Sequence, residues 1–256
     1  MKAVILAGGL GTRISEESSV RPKPMIEIGG KPIIWHIMKM YASHGICDFV
    51  VCAGYKGYMI KEYFYNYFLH QADIEVELKN NTCTFINSQA EDWTVKIIDT
   101  GASTQTGGRL RQVRKYLDED EPFCFTYGDG VGDIDITATL KKYNASNALA
   151  LLTSYAPPNR FGLLTTDQDR VVEFAEKPKS SDAMINAGFF VLSPKVIDLI
   201  DDDLSVWEEY PLNELAKNGD LIFYEHKGFW HPMDTLRDKN MLETMWQSGD
   251  AAWKVW

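Results

Sequence analysis

The sequence predicts an α/β protein: a Rossmann-like, mixed but mostly parallel sheet with helices on both faces. In the first half of the chain, short apolar runs typical of buried strands alternate with apolar stripes at helical spacing. At 256 residues, the length is near the upper limit for one hydrophobic core, and no linker, repeat or low-complexity segment divides the chain. We therefore expect one domain, with ligands bound at the carboxyl ends of the strands.

The first half contains four apolar runs that fit buried strands, at residues 3–6, 48–53, 94–99 and 123–127. Apolar positions at helical spacing predict helices over residues 33–44, closed by Gly45, over 58–69, which is strongly aromatic, and over 109–117. Residues 74–78 and 82–86 alternate polar and apolar side chains, which predicts a β-hairpin inserted outside the main sheet and available for oligomer contacts. The aromatic stripe of 58–69 is expected in the core or at a subunit interface.

The second half is more mixed. We predict helices over residues 136–143, 194–200, 208–217 and 235–248, the last ending at Gly249. Strands are predicted over 148–154, 184–192 and 221–224, together with a strand pair formed by 161–165 and 171–174.

Composition excludes several classes of protein. Hydrophobic residues make up 45% and charged residues 24%, which is ordinary for a globular domain, and the net charge of −10 disfavours a nucleic-acid partner. No apolar stretch approaches the roughly 18–20 residues of a membrane span, and the first apolar run is too short for a signal peptide. Cys47, Cys52, Cys83 and Cys124 lack metal-ligand spacing and are expected to be buried thiols in a reducing compartment, so we expect a cytoplasmic protein without membrane contact.

The first predicted strand runs into a loop that contains Gly8, Gly9 and Gly11. Glycines allow successive backbone N–H groups to converge on phosphate oxygens, and Arg13 and Lys23 add positive charge nearby. A P-loop requires Gly-Lys-Ser/Thr, which is absent here, and the dinucleotide fingerprint requires a third glycine where Ile14 stands, which disfavours an oxidoreductase. A purely structural turn is the remaining alternative, but the prolines on either side of Lys23 disfavour it.

Further candidates lie at strand ends. Asp129 stands between two glycines after the fourth strand, as a Mg²⁺ ligand would. Asp234 precedes the last helix, where it is either an N-cap, a metal ligand or both. Asn186 lies in an apolar strand and needs hydrogen-bond partners, while Gly188 permits close approach of a ligand.

Gly8-Gly9-Leu10-Gly11-Thr12-Arg13, followed by Pro22-Lys23-Pro24-Met25, resembles the signature of the sugar-phosphate nucleotidyltransferases, and the resemblance covers essentially the whole chain. The segments 99–101 and 106–110 are most similar to the cytidylyltransferase branch, which joins CTP and glucose 1-phosphate into CDP-glucose and pyrophosphate. The resemblance implies a place in dideoxy-sugar and O-antigen lipopolysaccharide biosynthesis and a homo-oligomer, a trimer or hexamer. It also implies the nucleotide-diphospho-sugar transferase fold, with a nucleotide-binding part at about 1–135 and a β-rich sugar-phosphate part at about 136–256.

The resemblance also implies residue roles. The catalytic residues would be Arg13, Lys23, Asp129 and Lys177, and Asp129 and Asp234 would hold Mg²⁺. Nucleotide contacts would come from Leu6, Ala7, Gly8, Gly9, Gly11, Thr12, Arg13, Lys23, Thr106, Gly107, Arg109 and Asp129. Sugar-phosphate contacts would come from Tyr127, Gly162, Glu176, Lys177, Asn186 and Gly188. Ala187 stands where the family often has glycine, and Arg109 is the expected donor to a cytosine carbonyl.

Two alternatives remain open at this stage. One is a uridylyl- or thymidylyltransferase acting on a hexose 1-phosphate. The other is a non-catalytic nucleotide-sugar sensor, which would be expected to lose Arg13, Lys23 or Asp129; all three are present.

Overall fold

The computed structural model describes residues 1–157, 163–167, 170–175 and 184–256. The strands are β1 (Lys2–Ala7), β2 (Glu27–Ile28), β3 (Lys31–Pro32), β4 (Asp48–Ala53), β5 (Asp73–Glu77), β6 (Thr82–Ile86), β7 (Thr94–Asp99), β8 (Phe123–Tyr127), β9 (Gly130–Gly132), β10 (Ala150–Tyr155), β11 (Leu163–Asp167), β12 (Arg170–Ala175), β13 (Ile185–Leu192), β14 (Leu221–His226) and β15 (Trp230–Pro232). The helices are α1 (Ser15–Ser18), α2 (Ile33–Ser43), α3 (Gly57–Tyr65), α4 (Tyr67–Gln71), α5 (Thr106–Gln112), α6 (Ile136–Asn144), α7 (Tyr210–Lys217) and α8 (Leu236–Ser248).

A seven-stranded sheet forms the centre of the molecule, in the order β14-β10-β13-β8-β1-β4-β7. Strand β13 runs antiparallel to β10 and β8, and the other neighbouring pairs are parallel. The predicted mixed, mostly parallel sheet is therefore confirmed. Strands from both halves of the chain belong to this one sheet.

Strand β1 lies in the middle of the sheet, and its side chains alternate between two cores. Ala3, Ile5 and Ala7 face the core that includes α2. Val4 and Leu6 face the core on the other side. All five residues are almost inaccessible to water, which explains why the run is apolar at every position rather than at alternate ones.

Four element predictions differ from the structure. The aromatic helix is interrupted at Asn66, which separates α3 from α4. Strand β7 is half-buried rather than buried, because it is an edge strand that pairs only with β4. The segment Pro194–Leu199 is a 3-10 helix. Helix α5 begins at Thr106, three residues before the predicted start at residue 109, and a 3-10 turn at Arg114–Tyr116 follows it.

The predicted inserted hairpin is confirmed, since β5 and β6 pair with each other and lie outside the main sheet. Every residue of both strands is exposed. Cys83 lies on β6, so the prediction that all four cysteines are buried is wrong: Cys83 is exposed, Cys47 is half-buried, and Cys52 and Cys124 are buried. Among the described helices, none combines the length and apolarity needed to cross a membrane.

The C-terminal segment packs against helix α2 through the buried side chain of His36. The Nε2 atom of His36 lies 2.8 Å from the carbonyl oxygen of Ile28, which only accepts, so Nε2 carries the proton. The Nδ1 atom then accepts from the indole N–H of Trp253 at 3.3 Å. Burial lowers the pKa of His36 from 6.5 to about 4.

Candidate active site

The glycine loop follows β1 at the carboxyl edge of the sheet. Gly11 has φ +66°, a conformation that side-chain-bearing residues rarely adopt, and a Cβ there would lie 3.0 Å from Cβ of Ser18. The Ser18 hydroxyl donates to the Gly11 carbonyl at 2.9 Å, and buried Ile14 anchors the far end of the loop. Consequently the loop is fixed at both ends while its middle remains at the surface of a cleft.

Lys23 lies in a 3-10 turn (Lys23–Met25) between two prolines, and its side chain is only 10% exposed. Its ammonium donates to Oδ2 of Asp129 at 2.6 Å and to Oδ1 of Asp234 at 2.7 Å. Arg13 donates to Oδ2 of Asp234 at 2.5 Å. Two cations and two carboxylates thus form one cluster at the end of the glycine loop.

The two carboxylates are distant in sequence and meet because β9 and β15 pair. Pro232 is the partner of Gly130 in this antiparallel ladder, and the Met233 N–H donates to the Asp129 carbonyl at 2.8 Å. Asp129 immediately precedes β9 and Asp234 follows β15 by two positions, so the antiparallel pairing brings both to the same end of the ladder. This pairing explains how Gly-Asp-Gly and a late aspartate form one site.

Asp234 is not the N-cap of α8. Thr235 occupies that position, and it forms a capping box in which its hydroxyl accepts from Asp238 N–H and Asp238 accepts from Thr235 N–H. The side chain of Asp234 is thus available to Lys23 and Arg13. Of the alternatives that the sequence left open, the capping role is excluded.

Two cavities meet at this cluster. The larger, of about 380 Å³, is lined at one end by the glycine loop, Arg13 and Lys23 and at the other by residues 104–106, Arg109 and Glu208. The smaller, of about 230 Å³, lies beside β13 and β15. It is lined by Arg13, Thr126, Tyr127, Asp129, Gly130, Asn186, Ala187, Gly188, Phe189, Trp230, Pro232 and Asp234. Arg13, Tyr127 and Asp129 belong to both cavities.

Tyr127 forms the common wall of the two cavities. Asn186 donates to the Tyr127 hydroxyl at 3.3 Å, and its own carbonyl oxygen accepts from Gly188 N–H at 2.8 Å. A Cβ at Gly188, where φ is +79°, would overlap the Tyr127 ring. Burial raises the pKa of Tyr127, and the neighbouring carboxylate of Glu208 raises it further.

The segment 106–110, which is predicted to contact the nucleotide, differs from expectation. Gly107 and Gly108 belong to the first turn of α5 and pack against the backbone of residues 203–207, where Gly108 N–H donates to Ser205. The guanidinium of Arg109 is buried and donates to the carbonyls of Gly8 at 3.0 Å and Gly101 at 2.8 Å. The glycines therefore serve close packing, and Arg109 joins the loops after β1 and β7. A contact between Arg109 and a base stays a prediction.

Sequence reasoning missed Glu208, which lines the larger cavity. No local pattern marks it, because it is an acidic residue in a polar segment and reaches the cleft only through the tertiary fold. Gly162, Glu176 and Lys177, with the neighbouring Arg160 and Phe161, lie outside the described residues. Their predicted sugar-phosphate roles stay predictions, as do the roles of the other site residues.

Comparison with known proteins identifies the family of this chain. The sequence model of the family described as "Nucleotidyl transferase" matches residues 2–218. The chain belongs to the nucleotidyl transferase family. It is 58% identical to glucose-1-phosphate cytidylyltransferase of Salmonella typhi, over the full length of both chains, and equally similar to the enzyme of the same name from Salmonella typhimurium.

Solved structures of nucleotidyl transferases share the fold. UDP-glucose pyrophosphorylase from Acinetobacter baumanii superposes with a TM-score of 0.69 at 16% identity, covering 96% of this chain and 92% of that one. The resemblance drawn from the glycine loop and Lys23 is therefore confirmed. So is the expected nucleotide-diphospho-sugar transferase fold.

Proposed function

We propose that this nucleotidyl transferase moves the cytidylyl group of CTP onto α-D-glucose 1-phosphate, giving CDP-glucose and pyrophosphate. The observation that carries this proposal is the position of Lys23, whose ammonium lies between Asp129 and Asp234 where the two cavities meet. Full-length identity of 58% to a protein named for this reaction supports the choice of substrates.

In the proposed reaction, a phosphate oxygen of glucose 1-phosphate attacks the α-phosphorus of CTP while the bond from that phosphorus to the bridging oxygen breaks. The nucleophile is already an anion, so no general base is required. The glycine loop and Arg13 would bind the β- and γ-phosphates, and Lys23 would bind the α-phosphate. These groups lower the repulsion between two anions and stabilise the charge that builds on the leaving pyrophosphate.

The carboxylate pair fits a divalent cation, and we propose Mg²⁺. Asp129 and Asp234 already share one cation, the Lys23 ammonium, and hard oxygen donors suit Mg²⁺. Among the described residues, no group of three or more His, Cys, Asp or Glu side chains is placed to hold a metal. That agrees with an ion held by two carboxylates and completed by phosphates and water. When bound, Mg²⁺ would neutralise phosphate charge and orient the reacting groups.

The decisive experiment measures pyrophosphate release with glucose 1-phosphate and each of CTP, UTP, dTTP, ATP and GTP. We expect turnover with CTP to exceed turnover with every other nucleotide. Preference for UTP or dTTP would replace the proposal with the uridylyl- or thymidylyltransferase alternative. If calorimetry detects nucleotide binding but no substrate pair is turned over, the alternative of a non-catalytic nucleotide-sugar sensor would be favoured.

We also propose that the chain forms a homo-oligomer, a trimer or hexamer. Several exposed large apolar side chains of α3, α4, the hairpin strands and the hairpin turn support a subunit interface, since they otherwise face water. They are Tyr58, Tyr65, Phe68, Leu69, Ile74, Val76, Leu78, Phe85 and Ile86. Sedimentation velocity tests the proposal, and a single species of monomer mass would exclude it.

A further inference from the structure

Glu208 accepts hydrogen bonds from two sides of the larger cavity. One carboxylate oxygen accepts from the hydroxyl of Tyr127, and the other accepts from the hydroxyl of Thr106 at 2.6 Å. The Thr106 hydroxyl in turn accepts from the backbone N–H of Trp207, whose indole is buried in the core. Glu208 is thus attached to the core through its neighbour and to the start of α5, while its carboxylate reaches the wall between the cavities.

The orientation of Tyr127 depends on these contacts. Glu208, which lines the larger cavity, accepts a hydrogen bond from its hydroxyl, and Asn186, which lines the smaller cavity, donates one to it. Its ring packs against Gly188, where a side chain would not fit. Because the ring separates the two cavities, a change in its orientation changes the shape of the smaller cavity, in which the sugar is expected to bind.

We propose that Glu208 is a positioning residue that holds Tyr127 in place as the wall of the smaller cavity, where the sugar is expected to bind. This inference rests on the proposed function. The phosphates of CTP would be bound by the glycine loop, Arg13 and Lys23, none of which is hydrogen-bonded to Glu208. Loss of Glu208 should therefore act mainly on binding of the sugar phosphate, because the wall of its cavity is no longer held in place.

The test combines Glu208→Ala and Tyr127→Phe in a double-mutant cycle. We expect Glu208→Ala to raise KM for glucose 1-phosphate about tenfold, as loss of a hydrogen bond to a charged group does, with a smaller change in KM for CTP. In the Tyr127→Phe background, which lacks the hydroxyl, Glu208→Ala should have almost no further effect. Glu208→Gln should recover most of the loss, because its amide oxygen still accepts from Tyr127.

Glu209→Ala is the matched control, since Glu209 is the exposed neighbour and its side chain makes no cap hydrogen bond. It should leave both KM values unchanged. Equal losses from Glu208→Ala in the two backgrounds, or a larger effect on CTP than on the sugar phosphate, would overturn the proposal. If the wild-type protein selects another substrate pair, the proposed function fails, and the same cycle run with that pair still tests Glu208 independently. Thermal melting of each variant identifies any that fails to fold.

Discussion

Lys23 is held by charge rather than by apolar packing alone. Its ammonium contacts one oxygen of each site carboxylate, and Arg13 contacts the second carboxyl oxygen of Asp234. In the proposed mechanism, a phosphate bound at the glycine loop would compete for the same ammonium. If Lys23 contacts the phosphate instead of the carboxylates, a divalent cation between Asp129 and Asp234 would replace its positive charge there. Substrate binding and metal binding should therefore favour each other.

Replacing Lys23 tests its role directly. We expect Lys23→Ala to lower the rate of pyrophosphate release by roughly 10²–10³, because a positioned charge partner of the transition state is lost. The assay uses saturating CTP and glucose 1-phosphate, and thermal melting checks that the variant is folded. Lys217→Ala, on the exposed surface of α7, is the control and should retain wild-type turnover. Near-normal turnover of Lys23→Ala would remove Lys23 from the mechanism.

At the residue scale, the sequence indicated the two cations and two carboxylates of the cluster, which the structure brings together, but not the contacts around them. Gly11, Lys23 and Asp129 were identifiable because glycine spacing and flanking prolines restrict the backbone locally. The Gly8 carbonyl that Arg109 contacts and the hydroxyls that Glu208 contacts were not, since each partner lies at least 81 positions away in the sequence. Such contacts depend on tertiary structure, which local patterns do not encode.

At the scale of elements, helix capping and the candidate site chemistry at the start of α8 belong to different residues. The side chains of Thr235 and Asp238 accept from each other's backbone N–H groups at this helix end. The backbone N–H of the adjacent Asp234 donates to the Asp238 carboxylate at 3.2 Å, and the Asp234 carboxylate points to the cluster. A sequence pattern of Asp-Thr before a helix fits either residue as the cap, so only the structure distinguishes them.

This distinction predicts different effects of two neighbouring substitutions. Thr235→Ala should lower the free energy of unfolding by about 1 kcal/mol and speed hydrogen exchange in the first turn of α8, because the cap is lost. Asp234→Asn should leave that exchange unchanged and raise the Mg²⁺ concentration needed for half-maximal activity. Hydrogen exchange by mass spectrometry and a Mg²⁺ titration of turnover measure the two effects. Faster exchange in Asp234→Asn would contradict the assignment of the cap.

The element predictions were most accurate for the central sheet. Strands β1, β4 and β8 are apolar because both faces are covered, and that pattern is visible in the sequence. Strand β7 was predicted with the same burial, but its edge position could not be known from its own residues. The break at Asn66 likewise interrupts a continuous aromatic pattern that is typical of one longer helix.

At the scale of the whole molecule, stability should depend on pH through His36. Its pKa is lowered from 6.5 to about 4 by burial, and a proton on Nδ1 would face the Trp253 N–H. The unfolded chain therefore binds more protons than the folded one between these pH values. The stability contributed by neutral His36 is fully present above pH 6.5 and is lost progressively as the pH falls toward 4, by about 3 kcal/mol in total.

Urea unfolding at pH 7 and pH 4.5 measures this dependence. The wild-type protein and the control His70→Gln, which alters an exposed histidine on α4, should both lose stability between the two values. His36→Gln removes the titrating group and should lose less between pH 7 and pH 4.5, although it is less stable at pH 7. An equal pH dependence in His36→Gln and wild type would contradict the role of His36.

If the proposed mechanism holds, the pairing of β9 with β15 also determines when the protein becomes catalytically active during its synthesis. One carboxylate of the cluster is made about halfway along the chain, and its partner follows β15, close to the C-terminus. A nascent chain still lacking β15 therefore holds the glycine loop and Lys23 but only half of the acidic pair. Ribosome-bound fragments that lack β15 and Asp234 should consequently be catalytically silent, and turnover should begin only after Asp234 has emerged.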